Sequence, residues 1–340
     1  MAVRVGINGF GRTGRALLRA ARLQEGLEVV AVNDLAPPEA LARLLRHDSV
    51  FGRFGEQVTV VGTEMLIAQD RIVMLAEAQV KALPWAELGV DVVVEATGRF
   101  TAREQAAQHL DAGAPRVVVS APSKGADATF VMGVNDDSFE PRRHMVVSNA
   151  SCTTNCLVPM VKVLDDAFGV ERGFMTTVHA YTGDQRLVDS VHKDARRARA
   201  AAMNIVPTTT GAARATGEVL PHLAGKLDGI ALRVPVPDGS TTDLVAMLRS
   251  APTVEEVRQA FRAASSSGPL AGRLGYSEEA LVSTDVIGDP ASCIFDAELT
   301  MAAGNVVKVL GWYDNEWGYA NRLAELAAKV GAAAAAPRRR

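Results

Sequence analysis

Cysteine is scarce. Cys152, Cys156 and Cys293 are the only three in 340 residues. So few thiols, odd in number, exclude a disulfide framework and point to a reducing compartment and a cytoplasmic location. An excess of charge of one sign is also missing. Lys and Arg total 36 against 39 for Asp and Glu, a net charge of −3, which offers no global attraction to nucleic acid or anionic lipid. No basic, apolar and cleavage regions precede the strand pattern that begins at Val3, so a secretory leader is not expected. The neutral window from His144 to Val161 is 18 residues long, but Ser148, Asn149, Ser151, Thr153, Thr154, Asn155 and Pro159 make it too polar for a bilayer span. There are no internal repeats.

What is present is a chain with 48% apolar and 22% charged residues, able to bury a large core and long enough for about two domains. The first third alternates short β-rich runs with helical stretches, the pattern of βαβ units on a parallel sheet. Strands are expected at Val3 to Ile7, Glu28 to Val32, Asp91 to Glu95 and Arg116 to Ser120, with Met145 to Ser148 closing the sheet. Helices are expected at Thr13 to Gln24, Pro38 to His47 and Ala102 to Asp111. Val58 to Val61 and Ile72 to Leu75 read as a small antiparallel excursion. After Ala150 the strands lengthen, with Phe174 to Ala180, Thr242 to Arg249 and Val306 to Tyr313 the best candidates, and an α+β second domain fits. Tyr181 to Pro207 reads as a long ordered loop. A last amphipathic helix spans roughly Glu316 to Val330, before an Ala-rich segment and a Pro-Arg-Arg-Arg tail expected to fray.

Gly9-Phe10-Gly11-Arg12-Thr13-Gly14 is Gly-x-Gly-x-x-Gly placed between a strand and a helix, where backbone N–H groups can approach a pyrophosphate. Asp34 ends the next strand 20 residues past the third glycine, where a carboxylate can accept from ribose hydroxyls. A 2′-phosphate beside that carboxylate would meet about 4 kcal/mol of repulsion per charge pair, for about 4 Å and an effective dielectric of about 20. NAD is therefore favoured over NADP.

Ser148-Asn149-Ala150-Ser151-Cys152-Thr153-Thr154-Asn155-Cys156 passes from strand to helix, with Ser151 a natural N-cap and Cys152 in the first turn. A free thiol of pKa about 8.5 is mostly protonated at neutral pH, whereas a helix N-terminus and a neighbouring imidazolium favour the thiolate. His179, at the end of a strand, can supply that imidazolium; an inert buried thiol and a core histidine are the bland alternatives. Cys156 reads as a packing residue or an occasional oxidation partner, Cys293 as a core residue, and no metal pattern is present. Thr208-Thr209-Thr210-Gly211 before a helical run, and Arg233 in an apolar strand, are candidate anion holders. The basic run His192 to Arg199 could bind RNA or form a solvated or subunit-facing loop.

With these residues laid out, the chain resembles the phosphorylating glyceraldehyde-3-phosphate dehydrogenase family over nearly its whole length, from Val5-Gly6-Ile7-Asn8-Gly9-Phe10-Gly11-Arg12 to Trp312-Tyr313-Asp314-Asn315-Glu316; the Ser148 to Cys156 block is its most specific element. The resemblance implies an α/β protein with a Rossmann dinucleotide-binding domain (1–150), an α+β catalytic domain with a mainly antiparallel sheet (151–315), a C-terminal helix returning to the first domain (316–333) and a flexible tail (334–340). It implies Cys152 as nucleophile and His179 as its activating partner. Gly9, Gly11, Arg12, Thr13, Gly14, Asp34, Ala78, Ser120 and Asn315 fall on cofactor positions, with Asn315 on the nicotinamide carboxamide. Thr182, Asp184 and Arg233 resemble the site for the substrate's phosphate; Ser151, Thr153, Arg197, Thr210 and Gly211 resemble that for attacking inorganic phosphate.

The activity so implied is oxidation of glyceraldehyde 3-phosphate with NAD and inorganic phosphate to 1,3-bisphosphoglycerate, by a homotetramer. Ala78 stands where many relatives have Arg, Gly183 where many have Asn, and Ser190-Val191 where strictly NAD-dependent relatives carry Leu-Pro, which leaves dual use of NADP open. Erythrose-4-phosphate dehydrogenase shares the cysteine block and is the rival enzyme; a non-catalytic nucleotide- or RNA-binding relative is the rival of another class.

Overall fold

The computed structural model describes residues 2–335, which divide into two compact units. Unit 1 comprises the chain up to Phe130, Ser138–Ala150 and the chain from Ala320; unit 2 comprises Val131–Asp137 and Ser151–Tyr319.

Unit 1 is built on a nine-stranded sheet. Val3–Asn8 lies at its centre between Leu27–Asn33 and Val92–Glu95, in parallel with both. Valine-rich strands such as Val92–Glu95 and Val117–Val119 are buried on both faces, as a covered parallel sheet requires. Val146–Ser148 does not close the sheet as expected. A two-residue strand, Ala128–Thr129, pairs outside it and is too short to leave a periodic signal. The excursion contains three strands rather than two, Val58–Val61, Glu64–Ile67 and Asp70–Leu75, and the last rejoins the parallel sheet beside Leu27–Asn33. The helix expected from Ala102 to Asp111 is split into Arg103–Ala106 and Gln108–Asp111, where Leu110 N bonds to Ala107 O in a tightened turn.

In unit 2 a seven-stranded sheet runs in the order Val206–Thr209, Leu227–Val234, Val170–Ala180, Ser240–Leu248, Val306–Tyr313, Cys293–Ala303, Leu274–Ser277. Four of its pairings are antiparallel, and two are parallel. Helices Cys152–Phe168 and Val254–Ser266 cover one face, burying Leu157, Met160, Leu164 and Phe261, the last stacked on Phe295 at 3.8 Å. The opposite face leaves Phe174, Ile230, Val245 and Met301 exposed in the single chain, alternating with buried neighbours such as Met175 and Leu244.

The final helix runs Trp317–Ala335, beyond the expected end at Val330, so Ala334 and Ala335 belong to it and not to a tail. From Ala320 it clusters with unit 1. Its close seating there is set at Gly331, where an added Cβ would lie 2.2 Å from Val3 Cγ1. The remainder of the expected tail, 336–340, lies outside the described residues.

Candidate active site

The glycine motif makes the turn its spacing predicts. Gly9 has φ +97°, and a Cβ there would meet Thr97 N at 2.6 Å; at Gly14 it would meet Gly9 O at 2.1 Å. A Cβ at Gly11 meets nothing within 4 Å, so that position faces open space. Gly11 also caps the helix Arg12–Ala21 without a side-chain acceptor, which leaves first-turn N–H groups available to an anion. A cavity of about 280 Å³ opens here, lined by Asn8, Gly9, Gly11, Asp34, Ala78 and Thr97 among others. Asp34 accepts from Phe10 N at 2.8 Å and Ala36 N at 3.0 Å, which fixes its carboxylate at the rim with acceptor capacity to spare. These residues fit a dinucleotide: close backbone, helix end and ribose acceptor occupy one cavity. Arg12 is less available than expected, since its guanidinium forks onto Asp48 at 3.1 and 3.2 Å. Thr13 is partly buried in the first turn, and Ser120 follows the strand Val117–Val119 without lining the cavity.

A buried polar network supports this floor, and no motif announced it. Trp85 Nε1 donates to His109 Nδ1 at 3.0 Å, His109 Nε2 lies 3.0 Å from Glu95 Oε2, and Asn8 Nδ2 donates to the same oxygen at 2.6 Å. Asn33 Nδ2 donates to Asn8 Oδ1 at 2.7 Å, while Glu95 Oε1 accepts from Thr97 N and the Thr97 hydroxyl.

In unit 2 the helix Cys152–Phe168 begins where expected. Ser151 Oγ accepts from Thr154 N at 3.0 Å as its N-cap. Ala150, just before, holds φ +55°, a left-handed conformation uncommon for a side-chain-bearing residue. Cys152 Sγ lies 3.3 Å from His179 Nε2, so the predicted pair is in contact. Burial pushes the Cys152 thiol up to about 11, and burial together with the Arg233 cation pushes the His179 imidazole down to about 3.

Around it, Arg233 Nη1 touches His179 Nδ1 at 2.6 Å. Arg197 is bonded to Asp184 at 2.5 Å and to Thr208 Oγ1 at 2.9 Å, so the structure joins two residues that the resemblance divides between two phosphate sites. Thr210 Oγ1 accepts from Ala212 N at 3.2 Å, and Gly211 caps the helix Ala212–Val219. Thr182 N donates to Gln185 Oε1 at 3.4 Å. Thr153 is buried, its hydroxyl 3.0 Å from Tyr313 Oη. Within the basic run, Arg197 and Arg199 are paired, the latter with Asp189 at 2.9 Å. Asn315 Oδ1 accepts from Ser240 Oγ at 2.5 Å, which leaves its amide nitrogen as the group to present to a ligand. Ser240 and the buried acid Asp238 went unremarked in the sequence, where each is one polar residue without a motif, and Tyr313 was read only as a strand end and part of the resemblance.

Two family models match the chain: "Glyceraldehyde 3-phosphate dehydrogenase, NAD binding domain" over residues 3–103 and "Glyceraldehyde 3-phosphate dehydrogenase, C-terminal domain" over residues 151–315. Among similar curated proteins, glyceraldehyde-3-phosphate dehydrogenase 2 of Streptomyces arenae is 57% identical over 332 residues, covering 97% of this chain and 99% of that protein. The glyceraldehyde-3-phosphate dehydrogenase of Geobacillus stearothermophilus is 56% identical over 331 residues, covering 97% and 98%. That of Mycolicibacterium smegmatis is 53% identical over 339 residues, covering 97% and 99%.

Proposed function

Because the chain belongs to the glyceraldehyde 3-phosphate dehydrogenase family, we propose that Cys152 is its nucleophile and His179 the group that moves the protons. The enzyme oxidises D-glyceraldehyde 3-phosphate with NAD and inorganic phosphate to 1,3-bisphosphoglycerate and NADH. The observation that supports these residue roles most is the 3.3 Å contact between Cys152 Sγ and His179 Nε2.

As Sγ adds to the aldehyde carbon, its proton passes to Nε2. The developing oxyanion is held by the Cys152 N–H in the first helical turn and takes that proton from Nε2, giving a hemithioacetal. NAD supplies, when bound, the acceptor for the hydride that leaves the same carbon. Nε2 takes the hydroxyl proton as the hydride leaves, and a Cys152 thioester remains. Inorganic phosphate then attacks the acyl carbon, and Sγ departs and recovers its proton from Nε2.

Gly9, Gly11, Gly14 and the helix start at Arg12 and Thr13 hold the cofactor's pyrophosphate, Asp34 the ribose, Ala78 and Ser120 flank it, and Asn315 Nδ2 meets the carboxamide. Arg233 and Thr182 hold the aldehyde's phosphate. Arg197, oriented by Asp184, holds the attacking phosphate with Thr210, Gly211 and Ser151. The buried Thr153 hydroxyl is engaged by Tyr313 and acts through packing.

A homotetramer is part of the proposal. Leu187, Val188 and Val191 in the long loop are 79%, 68% and 91% exposed, and Phe174 on the open sheet face is 73% exposed, an apolar surface suited to a second copy. No helix among the described residues is long and apolar enough to cross a membrane, and free thiols suit a cytoplasmic setting.

The test is NADH formation from glyceraldehyde 3-phosphate, NAD and inorganic phosphate, with erythrose 4-phosphate as the comparison aldehyde. Turnover with a clear preference for glyceraldehyde 3-phosphate is expected; no turnover from folded protein would remove the reading. Light scattering showing a monomer would remove the tetramer.

A further inference from the structure

Glu95 ends the strand Val92–Glu95, is buried, and takes no part in the proton transfers above. Its carboxylate accepts from four donors. Thr97 N at 2.8 Å and the Thr97 hydroxyl meet Oε1; Asn8 Nδ2 at 2.6 Å and His109 Nε2 at 3.0 Å meet Oε2. Each polarity is forced from outside. At one end the Trp85 indole, a donor only, gives its N–H to His109 Nδ1 at 3.0 Å, so that nitrogen is bare and the ring proton sits on Nε2, facing Glu95. At the other end the Glu77 backbone N–H donates to Asn33 Oδ1 at 2.8 Å, which turns Asn33 Nδ2 onto Asn8 Oδ1 at 2.7 Å and Asn8 Nδ2 onto Glu95. The two assignments meet at Oε2 and agree. Asn8 Nδ2 and His109 Nε2 stand 3.5 Å apart because both point at one acceptor.

The outer members of this chain of bonds are walls of the 280 Å³ cavity. Asn8, Asn33, Glu77 and Thr97 line it, whereas Glu95, His109 and Trp85 are buried behind it. Asn33 grips both backbone groups of Glu77, taking its N–H at 2.8 Å and donating to its carbonyl at 2.9 Å. One residue further along from each lie Asp34 and Ala78, both in the cavity wall. Glu95 Oε1 in turn fixes Thr97 N, the atom against which the Gly9 turn is packed. We propose that Glu95 is the positioning residue for the adenosine-diphosphate half of the dinucleotide: its carboxylate, held from behind by His109 and Trp85, sets these walls before a ligand arrives and touches no ligand itself. The inference rests on the cavity being the dinucleotide site. Glu95→Gln keeps the volume and turns one acceptor into an NH₂ group. On one side that group opposes Thr97 N–H. On the other it opposes Asn8, which cannot flip without opposing Asn33, and His109, which cannot change tautomer without opposing the Trp85 N–H. Either way a wall moves.

The test is calorimetric titration of the full chain with NAD and with ADP-ribose, which lacks the nicotinamide. Glu95→Gln is expected to raise both Kd values by the same factor, about tenfold or more, and to leave kcat at saturating NAD within about twofold of wild type. A merely structural carboxylate predicts a lower melting temperature with both Kd values unchanged, and that result overturns the proposal. So does a loss of affinity for NAD alone, which would put the effect at the nicotinamide end. Failure of the wild type to bind either ligand is a different result: it removes the dinucleotide reading of the cavity, and this inference with it. A second arm needs no variant at position 95 to fold. In nitrogen NMR of the wild type with 15N-labelled imidazoles, His109, one of six histidines, is assigned by its loss in His109→Gln. It should show a proton on Nε2 and a bare Nδ1 in the free chain, unchanged when ADP-ribose is added. A proton on Nδ1, or a tautomer that changes with the ligand, overturns the claim that the walls are set in advance.

Discussion

Tyr313 stands edge-on to His179, with ring centroids 5.8 Å apart and planes at 75°. Its hydroxyl lies 3.0 Å from Thr153 Oγ1 and 2.9 Å from Thr177 Oγ1, so one buried side chain ties the nucleophile's helix to the strand that ends at the base. Tyr313→Phe keeps the ring and leaves two buried hydroxyls short of a partner. The expected cost is about 1–3 kcal/mol in urea unfolding, with a lower kcat and an unchanged KM for NAD. Unchanged stability and kcat would show that the hydroxyl does not organise the pair.

Gly9 and Gly11 separate the fold from the cofactor. Gly9→Ala places a Cβ 2.6 Å from Thr97 N at φ +97°, so a large loss of stability is expected without any ligand. Gly11→Ala meets nothing within 4 Å in the protein, so thermal unfolding of the free enzyme should stay close to wild type while KM for NAD rises about tenfold or more. A Gly11→Ala variant with wild-type KM for NAD would place the pyrophosphate elsewhere.

Asp34 should set the choice of dinucleotide. NAD is expected to have the higher kcat/KM. Asp34→Ala should narrow its advantage over NADP by about tenfold or more, because about 4 kcal/mol of repulsion toward a 2′-phosphate is partly screened in solution. A wild type that prefers NADP would contradict this.

Asp238 supplies a pH dependence. Burial, then the neighbouring charges of Asp314 and Glu316, push its carboxyl up to about 8, whereas in the unfolded chain it ionises near 3.8. Between those values the folded protein binds the extra proton, so this group's contribution makes stability fall as pH rises from about 4 to about 8 and level off above. Asp238→Asn should remove that slope and be the more stable form at pH 8, measured by urea unfolding across the range. The ionised Asp238 also raises the Cys152 thiol, so the variant should gain Cys152 alkylation rate relative to wild type above pH 8. Parallel stability curves for the two proteins would refute the assignment.

The strand–glycine–helix turn, Asp34 and the Ser151 cap were legible in the sequence because each is a local pattern, whereas the Cys152–His179 partnership, 27 residues apart, came from the family resemblance. Much of unit 2 was not legible. Cys293–Ala303 and Leu227–Val234 alternate poorly between apolar and polar residues, since one face of their sheet is exposed yet still carries Ile230, Leu299 and Met301. The Trp85–His109–Glu95–Asn8 network was hidden because its members come from four separate segments and meet only through the sheet order. The burial around Cys152 and His179 was hidden for a related reason. A helix end and a nearby histidine can be read along the chain, but the burial that pushes the thiol up and the imidazole down, and the cation that Arg233 brings from the adjacent strand, are products of packing.

The central claim is covalent chemistry at Cys152, and an acid-quenched protein mass tests it most directly. With glyceraldehyde 3-phosphate and NAD but no inorganic phosphate, the wild type should gain the mass of one 3-phosphoglyceroyl group per chain on the peptide containing Cys152, and lose it when phosphate is added. Cys152→Ala should gain nothing. A wild type that forms NADH with no acyl group on Cys152, or a Cys152→Ala chain that still turns over, would contradict the mechanism.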